Sequence, residues 1–148
     1  MGGYITLRAM VVDPDIKAGV IWAGVVASYD ELFVSWFRSS SIHDNTSWLG
    51  AMVETYGTPE DNPAFWDSLS ANSYLTDLSG PIQLHHGTGD TTVPYKYSVQ
   101  LDEQMRAAGQ TVELFLHQGD DHNISTNRDI GLTLSVVFFD RYVAHRFD

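Results

Sequence analysis

An aspartate and a histidine each sit just past a short apolar segment in the carboxyl half of this 148-residue chain. Asp90 lies in the loop Gly87-Thr88-Gly89-Asp90-Thr91-Thr92-Val93-Pro94, after the segment Ile82-Gln83-Leu84-His85-His86. His122 lies in Gly119-Asp120-Asp121-His122-Asn123, after Thr111-Val112-Glu113-Leu114-Phe115-Leu116. A carboxylate that accepts a hydrogen bond from imidazole Nδ1 fixes the tautomer of the ring and stabilises its protonated form. The opposite nitrogen can then take a proton from a hydroxyl or a water. Taken singly, Asp90 reads as a turn cap and His122 as an exposed loop residue. At the carboxyl ends of successive parallel strands they read as a pair, because such strands bring their following loops to one edge of the sheet.

A metal centre is the competing chemistry. His85, His86, His117, His122, Asp120 and Asp121 are suitable ligand types. Neighbours on a strand point to opposite faces, however, so His85 and His86 do not share an ion easily. No His-x-x-x-His pattern falls on a helix, so neither a metal nor another cofactor is called for. Among hydroxyls near the pair, Ser28, Ser125 and Thr88 are the candidates for a nucleophile. None is flanked by the Gly-x-Ser-x-Gly pattern that exposes a serine on a strained turn. Each reads more readily as a turn or cap residue, and Ser28, just past an apolar run, is the best placed of them.

The elements that must hold these groups alternate in kind. Residues 4–12 read as a helix with Tyr4, Leu7, Arg8 and Val11 along one side, stopped by Asp13-Pro14-Asp15. Residues 18–26 form an almost unbroken apolar run, as a strand covered on both faces does. Residues 29–79 change to Ser, Asn, Asp and aromatics, with helices expected near 30–38, 46–56 and 63–69. From Pro81 the rhythm is strand, helix over 95–107, strand, helix over 129–144. Val99, Leu101 and Met105 are buried candidates on the first of these helices, and the second carries Leu132, Val136, Phe139 and Val143 at helical spacing, as an apolar stripe does. Thr126 with Asp129 resembles a capping box. The sum is an α/β fold with three parallel strands, flanking helices and a helical insertion.

Composition narrows the partners. Lys and Arg number 8 against 19 Asp and Glu, so nucleic acid and anionic membranes are poor partners. With no cysteine, thiolate metal sites, disulfides and a Cys nucleophile are excluded. No apolar run is long enough to span a bilayer, and the first residues do not read as a signal peptide. A soluble protein is expected, with cytoplasm and secretion both open.

The two loops, with the strands before them, are similar to the acid-bearing and histidine-bearing segments of the prolyl oligopeptidase-like (S9-type) branch of the α/β-hydrolases. The resemblance covers nearly all 148 residues as a single, partial domain, strongest at the Asp90 and His122 segments and looser over 29–79. It implies the carboxyl-terminal part of that fold and hydrolysis of ester or peptide bonds in a small-molecule substrate. Asp90 would orient His122 as general base and acid. In that family the nucleophile elbow reads Gly-His-Ser-Met-Gly-Gly or similar. This chain begins Met1-Gly2-Gly3-Tyr4, one position after the expected serine, as an internal start codon or a cloning boundary would leave it. The resemblance thus implies an absent elbow serine and a former oxyanion-hole amide at Met1. It also makes the insertion a cap, with Trp36, Trp48 and Trp66, beside Phe37, Tyr56 and Phe65, as substrate-facing rings or simply as packing.

Two consequences are expected. Without its family neighbours, the apolar strand at 18–26 becomes an edge and favours a homodimer or higher oligomer through that edge. The chain is either a hydrolase, weak or with an unusual nucleophile, or a non-catalytic fragment serving as an interaction or structural unit.

Overall fold

The computed structural model describes residues 2–35 and 48–144. The elements run α1 (Gly2–Val12), β1 (Gly19–Trp22), α2 (Tyr29–Ser35), α3 (Trp48–Tyr56), α4 (Pro63–Leu69), a 3₁₀ segment (Ala71–Asp77), β2 (Ile82–Gly87), α5 (Lys96–Ala107), β3 (Val112–His117) and α6 (Arg128–Tyr142). They fall into two compact units, one formed by Met1–Val26 with Tyr74–Asp148, the other by Ala27–Ser73.

The first unit is an open three-stranded parallel sheet in the order β1-β2-β3. Register pairs Trp22 with His85 and His85 with Phe115, so these three side chains share a face. α6 covers that face, as Ser135 lies 3.3 Å from both the Trp22 indole nitrogen and His85 Nε2. The opposite face carries Gly19, Ile21 and His86, against Met10 and Gly3 of α1 and Ser98 of α5. Every residue of β2 is buried, which is why it reads as apolar apart from its hydrogen-bonded Gln and His.

Three sequence expectations need correction here. The strand expected over 18–26 stops at Trp22. Ala23 takes a left-handed φ of 45° while its N–H still reaches the His85 carbonyl at 2.8 Å, turning the chain off the sheet. The inward side of α1 is Gly3, Leu7 and Met10 rather than Tyr4, Leu7, Arg8 and Val11. Gly3 must be small, because a Cβ there would come within 2.9 Å of Gly24 Cα. On α6 the expected stripe faces outward: Leu132, Val136 and Phe139 are 49%, 67% and 41% exposed, while Gly131, Ser135 and Phe138 are buried. The Trp22 ring fills the place a Cβ of residue 131 would need, so the smallest residues decide which side of the helix approaches the sheet.

The boundary of the insertion also shifts. Residues 74–79, placed with it from sequence, belong to the sheet unit. The Arg8 guanidinium lies over the Tyr74 ring, and the Ser79 hydroxyl donates to the Ile16 carbonyl at 2.6 Å. In the second unit Trp66 is 1% exposed, with Tyr29, Phe33 and Phe65 around it and its indole N–H on the Gly57 carbonyl at 3.1 Å. Trp66 is therefore a core ring of that unit and not a substrate-facing one. Trp36 and Phe37 lie outside the described residues, as does Met1.

Candidate active site

Two loops at the carboxyl ends of β2 and β3 are joined backbone to backbone. Thr88 N–H donates to the His117 carbonyl and Gly89 N–H to the Asp120 carbonyl, both at 2.9 Å. The Thr88 hydroxyl accepts from Gly119 N–H at 2.7 Å. This approach requires glycine on the β2 side: a Cβ at Gly87 would collide with the carbonyl oxygens of Asp120 and Asp121. Thr88 thus fastens the loops together, which is its role here rather than nucleophile.

Asp90 sits at the centre of the joined loops, its side chain wholly buried. Its Oδ1 accepts from Thr92 N–H at 2.7 Å and Val93 N–H at 2.9 Å. Its Oδ2 lies 2.7 Å from His122 Nδ1 and 3.1 Å from His86 Nε2. Burial pushes its pKa up, but the Val93 amide, the His122 imidazole and the Thr92 amide outweigh that and hold it below the ordinary carboxylate value.

The histidine loop has its own internal frame. Asp121 accepts from the amides of Asn123 and Ser125 and from the Ser125 hydroxyl at 2.8 Å, so Ser125 is a loop fastener. Ile124, fully buried, holds a left-handed φ of 51°, a costly conformation for a β-branched residue. Asp120 takes the amides of Thr126 and Asn127 and the Asn127 side chain. Burial opposes ionisation of Asp120, yet those donors bring its pKa down to about 2. The capping box expected from Thr126 and Asp129 is therefore absent. Asn127 is the cap residue of α6 and makes no side-chain cap bond, because its amide is turned to Asp120 instead.

His122 emerges from this frame with its side chain 39% exposed. It lines an open pocket of about 510 Å³ with Trp22, Asn123, Arg128 and Leu132. With Nδ1 on Asp90, its Nε2 makes no hydrogen bond among the described residues. The arrangement can accept a proton at Nε2 and keep the resulting imidazolium on a buried carboxylate. Ser28 belongs to the second unit, where its carbonyl receives the Leu32 N–H at 2.9 Å at the start of α2. Trp48 is 58% exposed in that unit. Among the described residues no three His, Asp or Glu side chains gather as a metal site.

Reasoning from sequence missed Trp22 and Arg128 as pocket walls, and treated His86 only as a metal ligand to be rejected. Trp22 had a signal, since it ends the strand beside the one that leads to Asp90. Arg128 opens the helix after the histidine loop, a position visible only once that loop's return is known.

The prolyl oligopeptidase family model matches residues 1–146. The chain belongs to the prolyl oligopeptidase family. Among solved structures, Pyrococcus horikoshii acylaminoacyl peptidase superposes with a TM-score of 0.71 at 22% identity, covering 99% of this chain and 23% of that one. Porphyromonas gingivalis dipeptidyl peptidase 4 gives 0.69 at 20%, covering 96% and 18%. A thermophilic esterase from Thermogutta terrifontis gives 0.55 at 20%, covering 84% and 42%. This prolyl oligopeptidase relative therefore spans about a fifth of the two peptidases. Its fold is that of the α/β-hydrolases, and its lineage is hydrolytic.

Proposed function

We propose that this chain carries the acid–histidine part of a serine-hydrolase-type site acting on ester or peptide bonds of a small-molecule substrate. Asp90 holds His122 in the Nδ1–H tautomer, and Nε2 receives the proton of an attacking hydroxyl, then returns it to the leaving group. The observation that carries the reading is the 2.7 Å bond between His122 Nδ1 and the buried Asp90 carboxylate beside an open pocket. Trp22 and Leu132 give that pocket an apolar wall, suited to an acyl or aromatic group. Family membership supports the same chemistry.

A non-catalytic role as an interaction or structural unit has one observation in its favour. Among the described residues no serine or threonine hydroxyl bonds to His122 Nε2, and those of Ser125 and Thr88 are engaged elsewhere. Turnover of short-chain chromogenic esters by wild type and His122→Ala separates the two, with fluorophosphonate labelling read by mass spectrometry. Hydrolysis that falls to the buffer rate in His122→Ala, with one labelled Ser or Thr, is the expected result. Equal turnover by both proteins, with no label, would refute the hydrolytic reading.

A further inference from the structure

Asp90 Oδ2 faces two imidazoles, and only one of them borders the pocket. His86, the penultimate residue of β2, is fully buried. Its Nε2 lies 3.1 Å from Asp90 Oδ2 and 3.1 Å from the Val93 carbonyl oxygen. A carbonyl oxygen and a carboxylate can only accept, so Nε2 carries the hydrogen. Its Nδ1 lies 2.7 Å from the Ser98 hydroxyl on α5. In the neutral ring Nδ1 is then an acceptor, and Ser98 is the donor. Burial, the largest influence on this ring, lowers its pKa against the raising effect of Val93 and Asp90, which keeps the ring neutral.

We infer that His86 is a positioning residue for the Asp90–His122 pair, a buried Nε2–H donor to Asp90 Oδ2 locked in its tautomer by the Ser98 hydroxyl. The inference takes its catalytic meaning from reading Asp90 and His122 as the reacting pair, while the hydrogen-bond geometry it describes stands without turnover. His122 stands on a loop and is 39% exposed, so it cannot hold the carboxylate still by itself. The backbone amides of Thr92 and Val93 fix Oδ1, and His86 fixes Oδ2 from the rigid end of the central strand. The carboxylate plane is thereby set from both oxygens before His122 arrives. Ser98, 1% exposed on α5, extends the support to a second element.

The test uses the full chain labelled with ¹⁵N, without substrate. Long-range imidazole spectra report each histidine's tautomer, and a far-downfield proton signal reports the His122 Nδ1–H bond to Asp90. Near-ultraviolet circular dichroism reports the fold. His86 is expected in the Nε2–H form. In folded His86→Phe the downfield His122 signal is lost, and in His86→Gln, whose side-chain amide can still donate, it is retained. Ser98→Ala mixes the His86 tautomers and broadens the same signal. An Nδ1–H tautomer at His86, or folded His86→Phe with the wild-type His122 signal, overturns the inference. If His86→Phe does not fold, Ser98→Ala decides, and unchanged tautomer and signal there overturn it equally. These signals need no turnover, so absence of hydrolysis with the signals as expected would sink the functional reading and leave this one standing.

Discussion

His85 and His86 are neighbours on β2, both fully buried, and they serve opposite faces of the sheet. His86 faces α5 and reaches the Asp90 carboxylate that holds His122. His85 faces α6 and joins a polar group that continues through Gln83 to Glu113. Its Nδ1 is 3.1 Å from His117 Nε2 and its Nε2 2.8 Å from Gln83 Oε1, with Trp22 and Ser135 alongside. Residue type and burial are the same, and the difference lies in what each face leads to. One face ends on a buried carboxylate whose other imidazole partner borders the pocket, the other on Gln83, whose amide passes on to Glu113 and its Arg141 partner, neither of which lines the pocket. A buried histidine acquires a part in chemistry only through the charge it touches.

The largest effect that sharpens this contrast belongs to Asp90→Asn. Either orientation of the amide turns its NH₂ toward donors, the Thr92 and Val93 amides on one side or the two imidazoles on the other. Ester turnover should fall to the buffer rate, in the direction this substitution takes in a Ser-His-Asp triad. Steady-state kcat measures it. His85→Leu should act differently. Gln83, His117 and Ser135 lose a partner inside the sheet, so stability falls by about 1–3 kcal/mol for groups left unsatisfied. Urea unfolding reads that loss, while the His122 Nδ1–H signal stays in place. A His85 variant that abolished the signal would break the distinction between the faces.

Acid should unfold the protein through the His85 face first. Burial, and then the neighbouring His117, lower the His85 pKa from 6.5 to about 4. Between those values the unfolded chain binds the proton and the native chain does not, so stability rises with pH there. It is complete above 6.5 and is lost as pH falls toward 4, on the order of 3 kcal/mol at most. Burial lowers the His86 and His117 values too, adding in the same sense. Asp90, with its pKa below the ordinary value, adds stability that persists above that value and is lost only at more acid pH. Unfolding midpoints between pH 7 and 4.5 should therefore fall, and the fall should be shallower in His85→Leu.

The smallest effect lies on the outward side of α6, which neither histidine touches. Val136→Lys should change stability by no more than about 0.5 kcal/mol. With Leu132, Val136 and Phe139 exposed together, we propose that the wild-type chain self-associates by this apolar side. Light scattering across a concentration series should show less association in Val136→Lys than in wild type.

Much of this was legible in the sequence because the signals are local. Apolar runs marked the three strands, and the loops after β2 and β3 placed Asp90 and His122 at one edge. The inward side of α6 was not legible. Gly131 and Ser135 face the sheet because Trp22, more than a hundred residues earlier, occupies the space between, and apolar periodicity cannot weigh such a partner. Trp66 stayed open between substrate-facing and packing for a related reason, since aromatic content in the insertion does not say which rings pack on one another. The second donor to Asp90 was hidden because the chain must turn at Gly87 and return before residues 86 and 90 can meet.

The hydrogen bond between Asp90 and His122 is tested most directly by the imidazole proton spectrum of the folded chain. A far-downfield resonance assigned to His122 Nδ1–H, present in wild type and absent in Asp90→Asn, is the predicted result. No such resonance in the folded wild-type chain, or one that persists in Asp90→Asn, would contradict a carboxylate-held catalytic histidine.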